Sequence, residues 1–489
     1  YSHSLSSLTL FPILIKYSAL AIMTFHTGYH LTGLSSPSPH FINSSWYDRY
    51  KESPGPEKVT LIWSLIISMY AVGGLFGAVS VKLFSRKLGR CVLISVMGAV
   101  IMLTSKTAKS FEMIIVARML YGYSAGIVSV VVYLHSMYLG EISPRKIRGR
   151  VTLTSATFTS LGKLSGQFFG LSEILGHRDL WNIVLCVPVC FSAVQVLVLP
   201  FLPEAPRYLF IEKRDDKACK RALQSLWGKG DYKQEMEEML IEHMVLEASP
   251  PKSPLRLMRD RTVRWQLVTM LVVYCCNQMS GMSVVSTFSF DIFLNSGVPK
   301  DKIRYVTLGL GISEMLTSIS CVSKSRLDTL NLFGTHIASE MKCTNSADSK
   351  CDCCVKHHNV FSLLQDLSWV PYVTSSLIFL FIVSFCGGPV TLSTELFTQS
   401  DRLAAFVLMG LQRWFMFAMV GLIFPFLIDA FGSYCFTLFA VVSLLGSFYT
   451  FFLLPETKGK TLVDISEEFK AITVCGKSFL EREGVETKL

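Results

Sequence analysis

Charge is what this sequence has least of. Only 17% of its 489 residues are Asp, Glu, Lys or Arg, against about 25% in a typical soluble chain. A chain of this length folding in water would divide into several domains with charged surfaces. Too few charges are present to cover them. Several catalytic signatures are missing as well. There is no Gly-xxxx-Gly-Lys-Ser/Thr loop to cradle nucleotide phosphates, which disfavours an ATP-driven pump, and no His-Glu-x-x-His helix to hold zinc. No enzyme activity and no cofactor are expected. The first apolar block, residues 8–31, holds Lys16, His26 and His30 but no Asp or Glu. That speaks against a proton-coupled carrier, which needs a group in a span that binds and releases a proton. No small-residue cleavage pattern ends this block, so no cleavable leader is expected. The chain starts at Tyr1 rather than Met, which leaves the natural N-terminus open.

What is abundant is apolar side chain: 51% of the residues are hydrophobic, gathered in long blocks. The blocks run roughly 8–31, 60–83, 91–108, 113–139, 151–175, 181–202, 265–294, 303–322, 369–393, 403–430 and 432–454. About 20 apolar residues cross the hydrocarbon of a bilayer as a helix, and an open strand cannot satisfy its backbone there. The pattern predicts an all-α polytopic membrane protein with about eleven recognisable spans. The net charge of +10 sits in short clusters between blocks, so nucleic acid is not an expected partner. The fourteen cysteines do not form a disulfide framework on this reading. Cys186, Cys190, Cys275, Cys276, Cys321, Cys386 and Cys435 lie in or beside apolar blocks, where thiols act as small hydrophobes.

Loop charge sets the orientation. Lys82, Arg86, Lys87 and Arg90 crowd one loop without an acid, and Arg145, Lys146, Arg148 and Arg150 crowd another. Basic loops stay cytoplasmic. The loop 32–58 is mixed in charge and carries the sequon Asn43-Ser44-Ser45, so it is expected outside the cell with Asn43 glycosylated. The N-terminus is then cytoplasmic. Residues 203–264 form a polar insert whose stretch 212–247 predicts short amphipathic helices. The organisation expected is a six-helix half at 1–202, a cytoplasmic helical linker at 203–264, a second half at 265–454 and a tail at 455–489. That is the two-half plan of a major facilitator, with its substrate site between the halves near the bilayer midplane.

Short motifs recur at span ends. Arg86-Lys87-Leu88-Gly89-Arg90 follows the second span. Arg118-xxx-Gly122-xxx-Gly126 opens the fourth, and Gly140-Glu141-Ile142-Ser143-Pro144 with Arg148 closes it. Pro203-Glu204-Ala205-Pro206-Arg207 follows the sixth. In the second half come Glu395-Leu396-Phe397 with Arg402, and Pro455-Glu456-Thr457-Lys458-Gly459. Taken singly these are solvated helix ends. Taken together they place acid and base on one side of both halves, as a breakable latch would. Exposed ion pairs contribute about 0–1 kcal/mol each, and a network of several can bias a conformational equilibrium. Arg90, Arg118, Glu141, Arg148, Glu204, Arg207, Glu395, Arg402 and Glu456 are the candidate latch residues. This set resembles the facilitative glucose transporters of the sugar-porter family, over residues of about 10–322 and 369–470. The resemblance implies a major facilitator fold, hexose transport by alternating access without proton coupling, and a multi-pass plasma-membrane location. Glu314, within Gly311-Ile312-Ser313-Glu314-Met315, is similar to the second class of that family, whose members handle fructose, urate and glucose. Read alone it is either a paired acid in a bundle or an intramembrane functional group.

A hexose calls for neutral groups that both donate and accept, which amides do. Gln167 lies in the fifth apolar block, and Asn277, Gln278 and Ser283 lie within two turns in the seventh. A lone amide in a span can equally bond a neighbouring helix. The family resemblance makes these four the expected substrate groups, since 277–283 resembles the family's Gln-Gln-Leu-Ser-Gly-x-Asn. The departures are Asn for Gln at 277, Ser for Asn at 283, and Thr287-Phe288 where aromatics are usual. Trp414 is the expected stacking surface, preceded by Arg413 where the family has Asn. Residues 323–366 depart most. They are polar where the family has a Gly-Arg-Arg loop and a ninth span, and 388–395 is shorter than the family's Gly-Pro-rich stretch. An odd span count results, consistent with a mis-assembled gene or an inactive paralogue. Cys343, Cys351, Cys353, Cys354, His357 and His358 in that segment look like zinc ligands, but Cys-x-Cys-Cys fits no standard site. No metal is expected.

Overall fold

A computed structural model describes residues 24–33, 40–80, 89–142, most of 148–198, 214–227, 253–323, 370–385 and 396–453 with short interruptions, and isolated positions near 209 and 232–244. Among the described residues there are helices and no strands. We number the helices in chain order. α1 covers 24–32. Then come α2 His40–Tyr50, α3 Pro56–Val79, α4 Gly89–Ala108, α5 Phe111–Ile142, α6 Arg148–Phe169, α7 Trp181–Val184 and α8 Val187–Val198. α9 Asp216–Trp227 and α10 Pro254–Arg259 belong to the polar insert. The second set is α11 Arg264–Met279, α12 Met282–Thr287, α13 Ser289–Asn295, α14 Lys300–Ser323, α15 Val370–Phe385, α16 Gln399–Phe431 and α17 Cys435–Leu453.

Each of the eleven apolar blocks therefore contains a helix. Among the described residues, Glu57–Val79, Arg264–Thr287 and Ala404–Ile428 are long and apolar enough to cross a membrane by length and composition. α4 carries a second membrane signature. Leu93, Met97 and Val100 are more than half exposed, and their i, i+4, i+7 spacing makes one outward apolar stripe. Leu316 and Ile319 of α14 and Leu445 and Phe448 of α17 are exposed in the same way. A face of this composition is stable against lipid and costly against water.

Close helix contacts fix the first set. A Cβ on Gly122 or Gly126 of α5 would overlap the backbone oxygens of Tyr70 or Gly74 on α3, and a Cβ on Gly73 or Gly77 would overlap those of Met119 or Tyr123. In lipid, helices gain little from the hydrophobic effect, so small residues spaced by four let backbones approach and gain dispersion instead. The Gly122 and Gly126 of the sequence motif thus serve helix packing. The core continues across both sets of helices: Ile66, Ile67 and Tyr70 of α3 share one cluster with Val284 and Phe288 of the second set and Trp414 and Phe424 of α16. In the polar insert, α9 buries Cys219, Ala222 and Leu223 against Leu209, Tyr232 and Met239. Its Lys217, Lys220 and Arg221 are exposed. The backbone N–H of Ala218 donates to Asp215 Oδ1 at 2.9 Å, capping its first turn. The segment 323–366, with its cysteines and histidines, and the stretch 388–395 lie outside the described residues.

Candidate functional site

The seventh apolar block is broken inside. α11 stops at Met279 because Gly281 takes φ 93°, a left-handed conformation that L side chains with a Cβ avoid. The Ser280 hydroxyl donates to the Asn277 carbonyl at 2.6 Å, occupying one of the carbonyls the helix end leaves open. α12 then restarts with Ser283, whose hydroxyl donates to Gln278 Oε1 at 3.1 Å. This bond spans the break and orients the Gln278 amide. Asn277, Gln278 and Ser283 are all half-buried, at the kind of helix discontinuity where carriers expose polar groups at membrane depth.

α6 faces α14 in an antiparallel seam that joins the first set of helices to the second. Tyr305 donates to Glu173 Oε1 at 3.2 Å at one end. The Gln167 amide packs directly on Gly311, where any side chain would displace it. Next, Lys163 Nζ meets Glu314 Oε1 at 2.6 Å, and Ser160 and Ser318 share a hydrogen bond at 2.9 Å. Gln167 is buried, and its Oε1 accepts no hydrogen bond among the described residues. A buried unsatisfied acceptor costs about 1–3 kcal/mol, a cost that a hydroxyl donor reaching this atom would offset. Lys163 Nζ also reaches Ser286 Oγ of α12 at 3.5 Å. Three elements, α6, α12 and α14, therefore converge with amide, hydroxyl, ammonium and carboxylate together. Glu314 is the paired acid of its two sequence readings. Its partner Lys163 belongs to none of the recurring motifs, although a lone Lys in an apolar block is itself a signal of an intramembrane role.

Trp414 lies elsewhere than on an open stacking surface. It is 4% exposed, and its indole N–H donates to Ser129 of α5 at 2.9 Å. Its ring sits against Gly74 of α3 and edge-to-face with Tyr70 at 5.7 Å. In this conformation the residue clamps α16 onto the first set. Arg118 requires a correction. It sits seven residues into α5, while Glu141 lies at the far end of the same helix, about 35 Å away at 1.5 Å per residue. Its guanidinium is buried, lies 4.7 Å from the Tyr70 ring centroid and donates to the carbonyls of Ile66 and His30 at 3.4 and 3.2 Å. It cannot join a latch with Glu141. His30 beside it is fully buried and stacked on Tyr121 at 4.5 Å. Arg402 donates to the Phe397 carbonyl at 3.2 Å, tying the start of α16 to the segment before it. Arg90, Glu141 and Arg148 are on described helices, but their side chains are outside the description; Glu204, Arg207, Glu395 and Glu456 lie outside it altogether. Asn43 is exposed on α2. Gly122-Tyr123-Ser124-Ala125-Gly126 spells Gly-x-Ser-x-Gly, but it lies within α5 rather than on the strand-to-helix elbow that exposes a nucleophile. Ser124 Oγ accepts from Ser95 at 2.8 Å in the core.

Two helix sets with a polar insert between them, and polar groups gathered at a broken helix and an inter-set seam, define a helical membrane carrier. Residues 18–469 match the family described as sugar (and other) transporter, and the chain belongs to it. It is 37% identical to mouse "Solute carrier family 2, facilitated glucose transporter member 9", over 91% of this chain and 83% of that protein. It is 34% identical to rat "Solute carrier family 2, facilitated glucose transporter member 5", over 97% of this chain and 95% of that one. Among solved structures, the proton:xylose symporter XylE bound to 6-bromo-6-deoxy-D-glucose matches with a TM-score of 0.71 at 16% identity, over 94% of this chain and 99% of that one. The fold is that of the major facilitator sugar transporters, and the chain is a transporter rather than an enzyme.

Proposed function

We propose that this chain moves a hexose, glucose and/or fructose, across the plasma membrane as a uniporter working by alternating access. The observation that carries the reading is the buried amide of Gln167 on the seam between the helix sets, whose Oε1 is unsatisfied among the described residues; Asn277, Gln278 and Ser283 at the broken helix supply a second group of neutral donors and acceptors. Each amide donates and accepts, as a sugar hydroxyl does. The printed names of the relatives, facilitated glucose transporters, support the same substrate class. In this reading Trp414 clamps the sets in one state and faces the sugar path in the other. The N-terminus is cytoplasmic, and Arg90, Glu141, Arg148, Glu204, Arg207, Glu395, Arg402 and Glu456 latch the cytoplasmic side.

The test is uptake of labelled glucose, fructose and urate in a hexose-transport-null background, with surface protein quantified. The wild type takes up a hexose saturably. Gln167→Leu and Gln278→Leu each raise KM about 2- to 10-fold, the equivalent of one hydrogen bond of about 0.5–1.5 kcal/mol. Surface-expressed wild type with no saturable uptake of glucose or fructose defeats the reading, whatever it does with urate. One observation favours proton-coupled symport instead: both ring nitrogens of the buried His30 lack a hydrogen-bond partner among the described residues. Sugar-driven alkalinisation of the medium, abolished by His30→Asn, would decide for it.

A further inference from the structure

The Lys163–Glu314 pair stands out in its surroundings. Lys163 is the only charged residue between Arg150 and Glu173, and Glu314 the only one between Arg304 and Lys324. Each is thus a single charge in an apolar run of a bilayer helix, a costly placement unless compensated. They compensate one another across the seam at 2.6 Å, with side chains only 11% and 9% exposed. The pair is flanked on both sides by polar contacts. Gln167 stands one turn from Lys163 on the same face of α6. Ser286 lies 3.5 Å from Lys163 Nζ, and the Ser160–Ser318 bond follows on the other side. Gln167, Ser286 and the ion pair therefore belong to one continuous wall.

We infer that Lys163 is a specificity-determining residue. By neutralising Glu314 it keeps this wall at zero net charge, so that neutral hexoses are accepted and sugar acids refused. The inference rests on the hexose-transport reading above. A wall that is net neutral offers an anionic ligand no counter-ion to replace its lost hydration. Removing Glu314 alone leaves a buried ammonium beside Gln167 and Ser286, which is a counter-ion for a carboxylate. Removing Lys163 alone leaves a carboxylate that repels one. Specificity here comes from denying the wrong ligand a partner as much as from binding the right one.

The experiment uses the full chain in cells without endogenous hexose uptake, with surface protein quantified, and labelled glucose, fructose and glucuronate. In the wild type, excess unlabelled glucuronate leaves hexose uptake unchanged. Glu314→Gln lowers hexose uptake at least about tenfold, because one partner of a buried pair is stranded, and raises saturable glucuronate uptake itself at least about threefold above the wild-type background. Lys163→Gln lowers hexose uptake and leaves glucuronate uptake at the wild-type background. The exchange Lys163→Glu with Glu314→Lys restores hexose uptake to within about threefold of wild type, with glucuronate again refused. A purely structural pair would lower hexose uptake and leave glucuronate uptake at background. Glucuronate competing in the wild type as well as unlabelled hexose does overturns the inference, even where single variants fail to reach the surface. So does glucuronate uptake that stays at background in surface-expressed Glu314→Gln. A wild type that carries hexose while these results fail sinks this inference alone; a wild type that carries none sinks the transport reading with it.

Discussion

Replacing Trp414 by Phe tests whether the indole clamps the two helix sets. The substitution removes the hydrogen bond from Nε1 to Ser129 Oγ, 2.9 Å long and buried at both ends. A buried neutral hydrogen bond contributes about 1 kcal/mol net. Phe is also smaller by about 40 Å³, and at about 24 cal/mol per Å³ of residual cavity that adds about 1 kcal/mol. The sum, about 2 kcal/mol, corresponds to about a 30-fold shift in an equilibrium. Some of it appears as a lower melting temperature of the detergent-purified protein. Some appears as a shift toward the state in which α16 and α3 separate, read by labelling a cysteine introduced on α3. Ser129→Ala removes the same bond from the other side, while Ser129's own bond to the Gly126 carbonyl is also lost. The decisive quantity is the coupling between the two substitutions. A double-mutant cycle is expected to return about 1 kcal/mol, since each single change already breaks the shared bond. Strict additivity, within about 0.3 kcal/mol, would refute the clamp.

Three further outcomes follow. Gly281→Ala forces a Cβ into φ 93° and to 3.1 Å from the Phe439 ring; a destabilisation of about 1 kcal/mol or more and a raised hexose KM are expected, and wild-type melting with wild-type KM would contradict the break as a fixed feature. In α9, burial pushes the Cys219 thiol up to about 11, with Asp216 adding to it. Alkylation of the folded protein at neutral pH should therefore be slow and accelerate toward that value. The neutral thiol's contribution to stability is complete below its unfolded pKa and is lost as pH rises from about 8.5 toward 11; fast labelling at pH 7 would show that α9 does not pack as described. Asn43→Gln should collapse the endoglycosidase-sensitive species in expressing cells, and a mobility unaffected by both the substitution and the enzyme would refute glycosylation of Asn43.

Much of the fold was legible because lipid imposes one-dimensional rules. A span has to be long, apolar and helical, so each of the eleven blocks could be read as a helix from composition alone. The break at Gly281 was not read from the sequence, which presents the seventh block as one helix, whereas the amides Gln167 and Gln278 stood out as polar atoms in apolar runs. Arg118 shows where this reading stops. Its spacing to Gly122 and Gly126 matched a motif, and the motif was placed with the cytoplasmic charges, yet a helix of 32 residues carries its two ends to opposite sides. Glu314 shows it again: the sequence left it between a paired acid and a functional group, and Lys163, 151 positions away, supplied the answer.

The sequence by itself determined the class of protein, the helices and the polar residues available inside them, because hydropathy and helix period are local quantities. Only the tertiary structure decided which of those residues meet. The Lys163–Glu314 pair, the Gln167–Gly311 contact and the Trp414–Ser129 bond all join residues far apart in the chain. Their energies depend on antiparallel register and on backbone approach at glycine, neither of which any local window contains.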